Sequence, residues 1–451
     1  MATERKILLL GAGFVAGPCA EYLVRRPENH LTIASRRLEN AQALCARFPR
    51  SKPVALNMDD EAGLDALVAD HDIVISLIPY TQHAKVIKSG VKNKKNVVTT
   101  SYISPAMMEY DAAAKEAGIT VMNEIGLDPG IDHLYAIKTI REVHEEGGKV
   151  LSFLSYCGGL PAPECSNNPL GYKFSWSSRG VLLALRNTAR FLENGKVVEV
   201  SSKDLMNSAK RIRVYPAFAL VGYGNRDSSG YRERYEMPEA HTVLRGSLRY
   251  EGFCEFAKSI VDLGFLDDTE RDFLTASAPD TTWRQVMAKL VGVEDSVSNA
   301  DLEKAVSDKF TIQEESEKKR VIDGMKWLGL FSDKQIAKRG TYLDVLCAAL
   351  EDKMMYGPGE RDMILLQHRF EVELKDGTRQ TRTSTLLEYG EPNGVMAMPR
   401  TVGVPCGIAV QLILDGKLTR KGVIAPMDPE INNPIMELLE KENIHVIEET
   451  F

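Results

Sequence analysis

Short apolar runs alternate with amphipathic stretches through the first third of the chain. The first run, Lys6-Ile7-Leu8-Leu9-Leu10, has the length and character of a buried parallel strand. The pattern predicts a helix from about Val15 to Arg26, ended by Pro27-Glu28-Asn29-His30, and a second strand over Leu31-Thr32-Ile33-Ala34. The alternation continues with a helix over 38–48, a strand over 53–57 and a helix over 59–69. It then gives the very apolar strand Asp72 to Ile78, a helix over 82–93, a strand over 96–100, a helix over 105–117 and the strand Thr120-Val121-Met122. So regular an alternation predicts a doubly wound parallel sheet.

The pattern changes after a helix over 130–146. Strand-like stretches over 149–158, 196–200, 212–219 and 241–252 are interleaved with loops and one predicted helix, Val181–Leu192. From about 255 to 350 the spacing is helical throughout. Alternation then returns over 362–374 and 379–389, around the hairpin signal Lys375-Asp376-Gly377-Thr378. A helix over 395–414 contains Pro399 and Pro405 and is expected to be broken or kinked. The last twenty residues or so read as a helix and a short strand packing back on the N-terminal sheet. The fold class expected is α/β: an N-terminal Rossmann sheet, a second mixed α+β substrate and dimerisation domain, and an inserted small all-helical domain. The boundaries expected are 1–128 with about 393–451, 129–254 with 351–392, and 255–350.

Composition narrows the function. The 451 residues are 44% hydrophobic and 26% charged with a formal net charge of −7, and no basic stripe stands out, which argues against nucleic acid as a partner. Seven scattered cysteines without a C-x-x-C pair argue for reduced thiols rather than disulfides or a zinc site. The N-terminus has no signal-like apolar region, and no stretch reaches the roughly 18–20 apolar residues of a membrane helix. A cytoplasmic location without membrane contact is expected.

The first strand feeds directly into Gly11-Ala12-Gly13-Phe14-Val15-Ala16, a G-x-G-x-x-A sequence. Gly11 would turn the chain, Gly13 would admit a pyrophosphate to the backbone, and Ala16 would let the helix pack on the strand. At the end of the second strand stands Ser35-Arg36-Arg37 in place of the acidic residue that binds a ribose 2′-hydroxyl. A hydroxyl and guanidinium groups suit a 2′-phosphate, so NADP(H) is expected. Three strand ends bring small or polar groups toward one rim: Ser76-Leu77-Ile78-Pro79-Tyr80, Thr99-Thr100-Ser101-Tyr102, and Asn123 to Gly130. Asp128 in the last is either a general acid/base or the N-cap of the following helix. Asp132 and His133 are expected to begin that helix. Cys157 is either a packed hydrophobe or a site group. Residues 172–177 would add polar and aromatic groups over a ligand. In the strand from Thr242, alternation puts Arg245, Ser247 and Arg249 on one face and Leu244, Gly246 and Leu248 on the other. The arginine face either binds an acidic substrate or is an exposed sheet face.

Six segments together carry a resemblance: GAGFVAGP from Gly11, SRR from Ser35, TSYISPAMMEYDAAAKEAGIT from Thr100, NEIGLDPGIDHLYA from Asn123, YCGGLPAPE from Tyr156 and TVLRGSLRYEGF from Thr242. In these the chain resembles the saccharopine dehydrogenases of the NADP-dependent, glutamate-forming type, as found in fungal lysine biosynthesis. The resemblance implies a dimer of Rossmann, mixed and helical domains. It implies condensation of glutamate with 2-aminoadipate 6-semialdehyde and reduction of the imine to saccharopine. It places a proton relay at Asp128, Tyr102 and Cys157. It places cofactor contacts at Gly11, Ala12, Gly13, Phe14, Val15, Ser35, Arg36, Arg37, Ser76, Leu77, Ile78, Thr100, Ser101, Ile125, Gly126, Leu127 and Ser175. Substrate carboxylates would meet Arg226 and Arg245, assisted by Ser101, Tyr102, Asp128, Thr242, Gly246 and Ser247. No metal is implied. A carboxynorspermidine-type reductase and a non-catalytic NADP-binding sensor are the alternatives.

Overall fold

The computed structural model describes residues 3–175 and 177–451. The chain divides into two compact units. One comprises the residues up to Gly148 with Ser384–Glu449, and the other Lys149–Thr383 with Thr450–Phe451.

The first unit is built on β1 (Arg5–Leu10), β2 (Asn29–Ser35), β3 (Ser51–Ala55), β4 (Ile73–Ser76), β5 (Asn96–Thr99) and β6 (Thr120–Met122). The all-parallel order is 3-2-1-4-5-6, the Rossmann arrangement, in which ligands bind beyond the carboxyl ends of the strands. Ile7, Leu8 and Leu9 are fully buried, because helices cover both faces of the central strand and leave no position for a polar side chain. One strand the sequence pattern did not predict, Gly422–Ile424, extends the sheet beside β6.

The predicted break near Pro399 and Pro405 is absent: Ala397–Leu414 is one continuous helix. Pro399 lies in its first turn, where an N–H has no intrahelical partner to lose. This helix packs on the nucleotide-motif helix Ala16–Val24, and two glycines make the approach possible. A Cβ at Gly403 would lie 2.6 Å from the Val15 carbonyl oxygen, and one at Gly407 3.0 Å from the Tyr22 ring. Among the described residues it is the one helix long and apolar enough to cross a bilayer, a stretch the sequence reading did not count, and it is 78% buried inside the protein.

The second unit holds a mixed sheet of β7 (Lys149–Pro161), β8 (Ala189–Glu193), β9 (Lys196–Val200), β10 (Lys210–Arg211), β11 (Leu220–Gly224), β12 (Thr242–Tyr250), β13 (Asp362–Glu373) and the first half of β14 (Arg379–Tyr389), whose residues from Ser384 on belong to the first unit. Its order is β10-β11-β12-β7-β13-β14 and then the C-terminal strand Val446–Thr450, with β12 and β7 parallel and the β8–β9 hairpin attached to β12, so the last strand joins this sheet and not the N-terminal one as expected. The helix expected over Val181–Leu192 is Ser178–Ala184, and residues 189–193 are strand instead. The cause is the Asn194-Gly195 turn, with φ of 50° and 77°, which folds that run into a hairpin with β9. The strand expected over 212–219 is also absent, because Pro216 stands inside it.

The domain expectation changes in two ways. The helix Ile131–Glu145 belongs to the first unit, moving the boundary from 128 to Gly148. The helical stretch 255–350 is not a separate body, since Phe256, Trp283, Met325 and Leu346 share one core with Tyr172, Phe174, Leu182 and Tyr223.

Candidate functional site

The first unit presents a groove of about 420 Å³ over the ends of β1, β2 and β4, lined by Gly11, Ala12, Gly13, Ser35, Arg36, Leu77 and Ile78 among others. Gly11 has φ of 108°, and a Cβ there would meet the Leu77 carbonyl oxygen at 2.6 Å, so glycine is required at the turn. A Cβ at Gly13 would meet nothing within 4 Å. That backbone is open to a ligand, and no side chain caps the helix behind it. Phe14 is exposed and Val15 half-buried. Arg36 and Arg37 are exposed, and neither pairs with a carboxylate among the described residues. Arg37 also stands at the N-cap position of the helix Leu38–Cys45.

Beyond the groove the ends of β4, β5 and β6 form a hydrogen-bonded rim. The Ser76 hydroxyl lies 2.8 Å from His83 Nδ1, and His83 Nε2 lies 2.8 Å from Ser101 Oγ. Burial lowers the His83 pKa to about 4, so the ring is neutral near pH 7. The segment after Ser101 is held by Glu124. Its Oε1 accepts from Ile103 N at 2.9 Å and its Oε2 lies 2.8 Å from His133 Nε2, with Glu124 and His133 both buried. This fixes Tyr102, whose hydroxyl donates to Asp128 Oδ1 at 2.5 Å.

Asp128 sits on a loop closed on itself. Gly126 N donates to Pro129 O and Ile131 N to Gly126 O, both at 2.9 Å. Gly130 has φ of 148°, and a Cβ there would overlap the Gly126 backbone. Gly126 in turn has Thr100 Cβ 3.3 Å from where its own Cβ would be. Ile125, Gly126, Leu127, Pro129 and Gly130 are all buried, and only Asp128 is partly exposed. The N-cap alternative for Asp128 fails: the cap position is Gly130, and its N–H donates to Asp132 Oδ1 at 2.6 Å.

The second unit carries the cations. Arg245 on β12 is 6% exposed, with its guanidinium 4.3 Å from the centre of the Tyr231 ring. Its backbone holds the neighbouring loop, donating to Ser228 Oγ at 3.1 Å and accepting from Asn225 N at 2.8 Å. Within that loop Arg226 is exposed and adopts a left-handed backbone, φ 54°. The alternation predicted for β12 is present. Gly246 faces the Tyr156 ring, which leaves no room for a Cβ. Arg249 is half-buried on the other face, 5.2 Å from the Tyr172 and Phe253 ring centres and 5.9 Å from Tyr223. The arginine face is therefore not an open sheet face. Ser247 pairs with Cys157 across the parallel β12–β7 ladder, and the Cys157 thiol is half-buried. Thr242, at the far end of the strand, accepts from Asn194 N at 3.1 Å in support of the hairpin turn. Tyr172 and Phe174 are core residues rather than a cover over a ligand. Ser175 is buried, and Trp176 lies outside the described residues.

Residues 7–122 match the saccharopine dehydrogenase NADP binding domain, and residues 126–444 the saccharopine dehydrogenase C-terminal domain. The chain belongs to the saccharopine dehydrogenase family. It is 58% identical to the saccharopine dehydrogenase [NADP(+), L-glutamate-forming] of Schizosaccharomyces pombe, with 98% of each chain covered. It is 52% identical to the Saccharomyces cerevisiae protein of the same name, with 99% of each covered. The solved apo structure of histidine-tagged saccharopine dehydrogenase (L-Glu forming) from Saccharomyces cerevisiae superposes with a TM-score of 0.91 at 51% identity, covering 99% of this chain and 100% of that one.

The residues present fit the NADP(H) of this family. The open Gly13 backbone suits a pyrophosphate, and the unpaired Arg36 and Arg37 guanidiniums suit a 2′-phosphate. Of the cofactor residues the family resemblance implies, Ser76 offers only its backbone, since its hydroxyl is fully buried against His83. Sequence reasoning missed His83 and the Glu124–His133 pair. Nothing in their local pattern marks them, because His83 reaches Ser101 at another strand end and Glu124 meets His133 only once the intervening loop folds.

Proposed function

We propose that the protein catalyses the reversible NADPH-dependent condensation of L-2-aminoadipate 6-semialdehyde with L-glutamate to saccharopine, a step of the 2-aminoadipate route to lysine. The observation that carries this reading is the Tyr102–Asp128 pair on a loop whose one partly exposed group is that carboxylate. The glutamate amine adds to the aldehyde carbon and water leaves, and each of these steps moves a proton. Asp128 passes one amine proton to the carbonyl oxygen as the C–N bond forms, then a solvent-derived proton to the resulting hydroxyl as it leaves as water, which gives a protonated imine; Tyr102 holds the carboxylate by a charge-assisted hydrogen bond. NADPH, held at the Gly11–Gly13 turn and Arg36, would supply the hydride that reduces this imine. Saccharopine carries three carboxylates, for which we assign Arg245 and Arg226, with Ser101 and Ser247 as hydroxyl partners. Cys157 is assigned to the same relay.

A homodimer in the cytoplasm completes this reading. The compartment is supported by seven free cysteines among the described residues, and the dimer by the family resemblance alone. Light scattering on the purified protein tests the dimer, and a monomer mass would remove it. The reaction is tested by following NADP+ reduction with saccharopine, in parallel with NADPH oxidation on glutamate plus semialdehyde. Absence of turnover in both directions, with heat protection by NADPH retained, would reassign the protein as a cofactor sensor. Turnover on a carboxynorspermidine-type imine alone would reassign its substrate.

A further inference from the structure

Ser76 ends β4 fully buried, and among the described residues its hydroxyl has one partner, His83 Nδ1. His83 is 1% exposed, and its other nitrogen meets Ser101 Oγ. A neutral imidazole has one N–H and one bare nitrogen, so only two arrangements are open. With the proton on Nδ1, that N–H donates to Ser76 Oγ, and the Ser76 O–H must turn away from the ring. The Ser76 O–H is then left unmet where no water reaches it, which is unfavourable. With the proton on Nε2, Ser76 O–H donates to Nδ1 and Nε2–H donates to Ser101 Oγ. Every buried donor is then satisfied. The hydrogen of Ser101, which is half-buried and has no other partner among the described residues, is directed onward. Ser101 is further fixed by its backbone, its N–H donating to Thr99 Oγ1 at 3.2 Å and its carbonyl accepting from Glu124 N at 3.1 Å.

We propose that Ser76 and His83 are positioning residues that set Ser101 as a hydrogen-bond donor to a carboxylate of the bound amino-acid substrate. This rests on the reaction proposed above for the acceptor, but not for the direction of the chain of donors. A carboxylate only accepts, so a hydroxyl whose direction is settled before binding suits it. The nicotinamide carboxamide presents donors as well as an acceptor and asks for no fixed direction.

The direction is tested by nitrogen-15 NMR of the whole protein labelled at its eight histidines, with His83 assigned by loss of its signals in His83→Gln. The expected signature is protonated Nε2 and bare Nδ1, lost or averaged in Ser76→Ala. An Nδ1–H tautomer, or a signature unchanged in Ser76→Ala, overturns the proposal whatever the substrate. The acceptor is tested by kinetics. His83→Leu removes the donor to Ser101 and is expected to raise KM for saccharopine about tenfold. His83→Gln places an amide N–H near the Nε2 position and is expected to restore KM to within about threefold. An unchanged KM in a folded His83→Leu protein, or a raised NADP+ Kd in place of a raised KM, overturns the assignment to the substrate carboxylate. Absence of any turnover of saccharopine by the unaltered protein would remove the proposed reaction and the carboxylate assignment with it, and would leave the tautomer result standing.

Discussion

The first unit holds its candidate reactive groups by hydrogen bonds along strand ends, whereas the second holds its cations against aromatic rings. Tyr102 and Asp128 are tied to each other, and Ser101 to the buried His83, all within about 3 Å. Arg245 and Arg249 lie over Tyr231, Tyr172 and Phe253. A hydrogen-bond network sets the direction and protonation of a group, which proton transfer requires. A ring face stabilises a guanidinium without neutralising it. For Arg249 this is explicit: no carboxylate pairs with it among the described residues, and its Nε is buried without a partner. Direction is thus built into one unit and charge into the other.

The contrast is broken most sharply at Asp128. Asp128→Asn keeps the loop but removes the base, and kcat is expected to fall by about 100-fold or more, with NADPH Kd unchanged. A kcat within a factor of three would leave Tyr102–Asp128 a structural pair. Arg245→Ala is expected to raise KM for saccharopine about 10- to 100-fold with little change in NADPH binding, measured by steady-state kinetics beside a fluorescence titration. Replacing Arg36 and Arg37 together by alanine is expected to lower the preference for NADPH over NADH by roughly tenfold or more. An unmoved ratio would return both arginines to the solvent. Tyr231→Leu removes the ring beneath Arg245 while keeping the guanidinium, with an expected rise in KM of about two- to fivefold. A fall in kcat alone would show that the ring does not act through that cation.

The smallest effect separates the units by pH. Burial depresses the folded pKa of His83 to about 4, below the unfolded value of about 6.5. Its neutral form therefore contributes stability that is complete above about pH 6.5 and is lost as pH falls toward 4. The guanidinium cations of the second unit keep their charge over that range. Scanning calorimetry from pH 7 to 4.5 is expected to show Tm falling by a few degrees more in the unaltered protein than in His83→Gln. Parallel curves would place the acid-sensitive group elsewhere.

The first sheet was legible because parallel strands buried on both faces must be continuously apolar, and its turns carry their own glycine chemistry. Gly422–Ile424 was not, because so short a strand shows no periodicity. It is held by distant groups, Asp111 Oδ1 accepting from Val423 N at 2.9 Å. The β8–β9 hairpin had a visible signal in Asn194-Gly195, masked by the helical spacing of the run before it. The alternation around Arg245 was legible, but two of the rings beneath the cations, Tyr231 and Tyr172, come from elsewhere in sequence. Asp128 had two local readings, and only the position of Asp132 at Gly130 N decides between them.

The packing of Gly403 and Gly407 on the nucleotide-motif helix also bears on how the protein is made. The helix Ala397–Leu414 and the strand Gly422–Ile424 leave the ribosome only after the Lys149–Thr383 stretch of the second unit. Until then the Ala16–Val24 helix lacks its cover and β6 has an unpaired edge. The nucleotide-binding half, begun first, is thus the last to close, and nascent chains stalled before residue 397 would expose that apolar face to chaperones.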